Sequence, residues 1–201
     1  MILRIVRGRA AADRFDGVVA PFEDRFLTTA GSTPGLVRCH VAVGGVDGTP
    51  AEVVVVTFWE TVEAALDADR RHLDEATALD GADLGTRREV AYFEVDDSTL
   101  RRSDAGWNVL RITVGRVARG LDAEIQHELR TRMHGLEGEM TEGYVGRRIL
   151  GDDVEIAFIS AWERPPATRS LEAPFWTDIS ERYDAFEVAT YQAIARGAAA
   201  R

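Results

Sequence analysis

The apolar positions along the chain fall into short runs of two kinds. Residues 2–7 and 109–114 are dense in Val, Ile and Leu and predict strands. Phe15, Val18, Val19, Phe22 and Phe26 are spaced 3, 1, 3 and 4 apart, which places all five on one face of a helix that Pro21 should kink or restart. Ile125, Leu129, Met133 and Leu136 give the corresponding stripe further along. Residues 37–43 and 53–59 predict a hairpin around Gly44-Gly45 and Asp47-Gly48, and Gly151, Asp152 and Asp153 mark a second such turn. Thr61 is placed to cap a helix carrying Val62, Ala65, Leu66 and Leu73. Its counterpart follows Pro165-Pro166 and runs through Trp176, Ile179 and Tyr183, and residues 89–95 and 187–193 predict the last strand of each half.

These elements come twice because the sequence repeats. Leu3-Arg4-Ile5 recurs as Leu110-Arg111-Ile112, and Gly8, Arg9 and Ala11 recur as Gly115, Arg116 and Ala118. Glu52, an apolar run and Trp59-Glu60 match Glu155, an apolar run and Trp162-Glu163. Glu89-Val90-Ala91 returns as Glu187-Val188-Ala189. Three matches in one order define a first repeat over 1–95 and a second over 107–195, with the polar stretch 96–106 as linker and 196–201 as a tail. Strand, helix, strand, strand, helix, strand is the ferredoxin-like order of an α+β fold. Residues 53–58 are apolar on both parities apart from Thr57, so both faces of that strand should be buried. Sheet packed on sheet achieves this, which predicts two tandem βαββαβ repeats closing an intramolecular barrel.

Composition removes several chemistries. All 24 basic residues are arginine, and without lysine the chain cannot form a Schiff base or supply a phosphate-loop amine. A net charge of -10 with scattered arginines makes nucleic acid and anionic membranes poor partners. One cysteine, Cys39, closes no intramolecular disulfide, and no arranged base accompanies it. The apolar run through Trp59 is too short for a membrane helix, and Arg4, Arg7 and Arg9 interrupt the first one, so a soluble, cytoplasmic protein is expected.

The repeated first strand and the apolar third strand ending in Trp59-Glu60 or Trp162-Glu163 resemble the antibiotic biosynthesis monooxygenase family, in its tandem dimeric α+β barrel form. The resemblance implies cofactor-independent oxygenation of a small aromatic or polycyclic, polyketide-like molecule. It equally admits a non-catalytic small-molecule-binding or interaction protein of the same fold, or haem binding and degradation. In family members that oxidise phenolic polyketides, an asparagine stands four residues before the strand-three tryptophan. Here those positions hold Val55 and Phe158, which donate no hydrogen bond. Haem-degrading members use a helical tryptophan and a later histidine, for which this chain offers His72 and Trp176.

The residues leave further candidates open. His127 and His134 share a helix face but lie about 10.5 Å apart along the axis, too far to hold one metal. Each is a candidate acid or base. Glu124 and His127 have the spacing of a di-iron helix, without the second pair such a site needs. Arg4 and Arg111 sit at the middle of the first strand, and a charge there needs a partner, for which Glu52, Glu60, Glu155 and Glu163 are available. Either arginine is alternatively a ligand for an anion or phenolate. Tyr92, Tyr191 and Asn108 are secondary candidates for a cavity, and the Gly44–Gly48 stretch is a turn rather than a phosphate cradle. The catalytic candidates are Trp59, Trp162, Arg111 and His127. No metal or cofactor is expected, haem being the open alternative, and a monomer or weak homodimer follows from the tandem repeat.

Overall fold

A computed structural model of the chain describes residues 1–10, 32–44, 51–79, 85–100, 108–136, 140–164 and 174–198. In order these form β1 (Ile2–Ala10), β2 (Leu36–Gly44), β3 (Ala51–Trp59), α1 (Val62–Leu79), β4 (Gly85–Leu100), β5 (Val109–Ala118), α2 (Asp122–Gly135), β6 (Glu142–Leu150), β7 (Asp153–Trp162), α3 (Pro174–Glu181) and β8 (Ala185–Ala198). The architecture is the α+β, antiparallel, ferredoxin-like one that the repeat implies. The expected helix through Phe15 and Phe26, the turn at Gly45–Gly48 and Pro165-Pro166 lie outside the described residues.

The chain divides into two compact units, unit 1 of residues Met1–Tyr92 with Tyr191–Arg201 and unit 2 of Phe93–Thr190. Unit 1 orders its strands β1-β3-β2-β8, with the pairs running from Ile2↔Trp59 and from Leu36↔Trp59, and with Val43↔Gln192 joining β2 to β8. Unit 2 orders them β5-β7-β6-β4, with Val109↔Trp162, Val145↔Phe158 and Ser98↔Tyr144 in register. The last strand of each repeat is thus longer than its apolar core. Residues 96–100, expected as linker, are strand, because Asp97 to Leu100 pair with β6 through the backbone, whatever their polar side chains. Residues 196–198, expected as tail, pair with β2 in the same way.

Burial follows the pattern of the sequence. Val53 to Trp59 and Val154 to Trp162 are buried on both parities. On one face of unit 1, Val53, Val55 and Trp59 pack with Leu36, Cys39 and Val41 against Ala65 and Ala68 of α1. Thr61 Oγ1 accepts the Ala64 N–H at 3.2 Å, the expected cap. In unit 2, Ile125, Leu129 and Met133 of α2 pack on Val109, Val117, Val154, Ile156, Phe158 and Trp162. Asp122 and Glu124 stand in the first turn of α2, where the helix dipole favours negative charge. Among the described residues no helix is long and apolar enough to cross a membrane.

Tyr183 fixes the end of α3. A Cβ at Gly115 would lie 2.1 Å from Tyr183 Cδ1, so only glycine lets the phenol ring rest on β5. The adjoining Asp184 N–H donates to Arg116 O at 2.8 Å, and Arg182 reaches Glu124 and Glu128 at 2.9 and 2.8 Å. Burial raises the Tyr183 phenol well above its usual range, as a ring packed against a strand should behave. Gly115→Ala is expected to lower unfolding stability by about 1–3 kcal/mol in urea titration. Much of that loss should be absent when Tyr183→Ala accompanies it; fully additive losses would contradict the contact.

Candidate functional site

Alternation along the strands decides which side chains meet the helices. In unit 1 the helix-facing residues of β3 are Val53, Val55, Thr57 and Trp59, and Arg4 of β1 stands opposite Thr57. In unit 2 the helix-facing residues of β7 are Val154, Ile156, Phe158, Ser160 and Trp162, and Arg111 of β5 stands opposite Ser160. The two arginines are 5% and 6% exposed, so each repeat buries an arginine on the face that carries its tryptophan.

Both indoles use their N–H in the same way. Trp59 Nε1 donates to Thr57 Oγ1 at 2.8 Å, and Trp162 Nε1 donates to Ser160 Oγ at 3.0 Å. A hydroxyl two residues earlier lies on the same face and within reach, which is what period-two alternation provides. The hydroxyl accepts this bond and keeps its own proton to donate.

The arginines differ in their surroundings. Arg4 Nε donates to Asp69 Oδ2 at 3.1 Å while Nη2 reaches Oδ1, a two-pronged pair with the carboxylate of α1. None of the four expected glutamates takes this place, for a geometric reason. Glu52 has the opposite parity to Thr57 on β3, and Glu155 the opposite parity to Ser160 on β7, so both point from the other face, while Glu60 and Glu163 lie beyond the ends of those strands. Glu155 instead pairs with Arg148 and lies 3.9 Å from Arg116, while Glu52 accepts the Tyr191 hydroxyl. Arg4 also acts on Cys39: burial pushes that thiol well up, and the guanidinium pulls it partly back.

In unit 2 burial lowers the pKa of Arg111 from the ordinary arginine value. Thr113 follows on the same face of β5, opposite Phe158, and is 3% exposed. Its Oγ1 makes no hydrogen bond among the described residues. A buried hydroxyl left in this state costs about 1–3 kcal/mol. The equivalent position in unit 1 is Val6, which has no such group.

The structure therefore places Arg111, Ser160 and Trp162 on one face of unit 2, and Arg4, Thr57 and Trp59 on one face of unit 1. It does not bring His127 to them: that side chain is exposed on α2, whose buried face is Ile125, Gln126, Leu129 and Met133. His134 is half-exposed, with Nε2 3.1 Å from Asp97 Oδ2. His40 is buried on the other face of β2, edge-on to Phe58 with ring centroids 5.8 Å apart. Asn108 is exposed, its amide donating to Glu163 O at 2.9 Å, so it fastens the start of β5 to the end of β7. Tyr92 packs partly buried on the unit 1 core. The side chains of His72 and Trp176 lie outside the described ones. Among the described residues no group of three or more His, Cys, Asp or Glu is placed to hold a metal ion. Asp69, Thr57, Ser160 and Thr113 escaped the reading of the sequence, although the hydroxyl two places before each tryptophan was a visible signal.

No family model matches the chain, and no curated protein matches it. Solved structures do. A candidate monooxygenase from Fusobacterium nucleatum superposes with a TM-score of 0.80 at 14% identity, over 98% of this chain and 94% of that one. An anthrone oxidase-like protein gives 0.68 at 13% identity, over 100% and 94%. A ferredoxin-fold protein from Listeria monocytogenes related to antibiotic biosynthesis monooxygenases gives 0.52 at 9% identity, over 96% and 95%. The chain thus has the ferredoxin-like fold of monooxygenase-like proteins along its whole length.

Removing the Asp69 carboxylate leaves a guanidinium buried without that bidentate partner. Asp69→Ala is expected to cost about 3 kcal/mol or more in chemical denaturation. A loss below about 1 kcal/mol would show the pair to be no more than a surface ion pair.

Proposed function

We propose that this chain binds a small aromatic or polycyclic molecule in unit 2 and oxygenates it without a cofactor. The observation that carries this reading is the buried face shared by Arg111, Ser160 and Trp162: a fixed cation, a hydroxyl donor and a flat apolar wall. The likeness to an anthrone oxidase-like protein supports it. On an anthrone, the methylene between the rings loses a proton and its carbanion is resonance-stabilised as an enolate. That anion passes electrons to dioxygen, and the resulting peroxide collapses to the quinone carbonyl and one water. The protein needs to stabilise the enolate and exclude bulk water, which a desolvated guanidinium and a buried hydroxyl do. Trp162 forms the wall, with its N–H already spent on Ser160.

The second reading is a non-catalytic binding protein. Val55 and Phe158 favour it, since they fill the helix-facing core with apolar atoms at the positions where the oxidising members of the family carry asparagine. Haem does not fit the described histidines. His40 is sealed beneath Phe58, while His127 and His134 stand on the outer side of α2. Carrying both repeats in one chain supports a monomer or weak homodimer.

Incubating the purified protein with a panel of anthrones in air should give quinone faster than buffer alone. Arg111→Gln should lower that rate by about a hundredfold. Rates equal to buffer across the panel would leave the binding reading. In parallel, hemin titration is expected to give no shifted Soret band; a shifted band lost in a histidine variant would restore haem.

A further inference from the structure

Consecutive residues of a strand point to opposite faces, so two adjacent acids on a regular strand cannot both reach one helix. Asp96 and Asp97 of β4 do. Val95 pairs with Gly146 and Asp97 with Val145, so two steps along β4 match one step along β6, and Asp96 is the extra residue of a β-bulge. Its side chain, 17% exposed, turns to α2 and β6, with Oδ2 3.8 Å from Arg130 Nη2 and 3.8 Å from Arg147 Nε. The bulge returns Asp97 to the same face, where its Oδ2 lies 3.1 Å from His134 Nε2. On α2 the groups involved form one ridge, because Asp122, Gln126, Arg130 and His134 are each four residues apart. Arg147 also reaches Asp122 at 3.5 Å, and Arg130 donates to Gln126 at 2.9 Å, so the ridge is tied to the sheet from its first turn to its last.

We infer that this bulge is a proton-operated clasp between β4 and α2, which tightens as the pH falls from neutral into the range where imidazoles take up a proton. Two groups act in the same direction. The His134–Asp97 contact becomes an ion pair when the ring is protonated, and it then joins helix to strand through opposite charges. Arg130 is the charge one turn earlier on the same ridge. Asp96 faces Arg147 of β6, Arg130 and Asp122 of α2, and Glu94 of its own strand. Burial outweighs the pull of the two arginines and holds its carboxyl above the usual carboxylate range, with Glu94 and Asp122 adding to the rise. The closed helix therefore holds that proton more tightly than an opened one would; acidification favours closure, and the gain is lost as the pH rises through the raised value. Because α2 packs over Phe158 and Trp162, the clasp sets how firmly that face of unit 2 is covered, independently of the function proposed above.

Amide hydrogen exchange of the intact protein, corrected for the intrinsic effect of pH, tests the clasp. Protection of residues 129–135 is expected to rise about threefold from about pH 8 to about pH 5.5, the effect of one half-exposed ion pair. Asp97→Asn and His134→Gln should each remove most of that rise. Asp96→Asn, uncharged at every pH, should protect α2 better than the intact protein does at about pH 8. A fall in protection on acidification, or an undiminished rise in both Asp97→Asn and His134→Gln, would overturn the clasp. So would an equal rise in α1, which would mark a change of the whole molecule, or weaker protection of α2 in Asp96→Asn.

Discussion

A guanidinium buried in the middle of a strand is the constraint around which each repeat is arranged. Arginine does not neutralise itself by losing a proton, so its charge must be met by groups on the same face. The pleat restricts those groups to alternate residues of the neighbouring strand and to the helix above. That restriction explains why Glu52, on the other face of β3, does not meet Arg4 and why Asp69 of α1 does. It also explains why a hydroxyl, Thr57 or Ser160, stands directly opposite each arginine and two places from a tryptophan whose N–H needs an acceptor.

From the same constraint the two halves diverge in what stands on the buried face. In unit 1 the Arg4 guanidinium meets Asp69 of α1, and the next helix-facing position of β1 is Val6. In unit 2 the next such position after Arg111 is Thr113, opposite Phe158 of β7. The repeats thus share an arginine, a hydroxyl and an indole and differ in the residue two places on.

Much of this was legible in the sequence. The recurrence of Leu-Arg-Ile and of the tryptophan at the end of an apolar run sufficed for the repeat and for the ferredoxin-like order, while the glutamates expected beside Arg4 were the wrong acids. The stripe of Ile125, Leu129, Met133 and Leu136 is the buried face of α2 and its final turn. Other features depend on three dimensions. Asp96-Asp97 and Ser98 read as a linker because strand pairing uses the backbone and is silent about polar side chains. In the structure Asp96 lies 3.8 Å from both Arg130 and Arg147, and Asp97 pairs with His134, so those charges border a strand. Asp69 is one acid among many on a charged helix, and only the fold reveals that it faces Arg4. The histidines misled because a helix period shows which residues share a face and not which face is buried.

That a buried guanidinium is met from its own face is the central claim, and a double-mutant cycle in chemical denaturation tests it most directly. A coupling of about 2 kcal/mol or more is expected between Arg4→Met and Asp69→Ala, and one below about 0.5 kcal/mol between Arg4→Met and Glu52→Ala. Stronger coupling of Arg4 to Glu52 than to Asp69 would contradict the account.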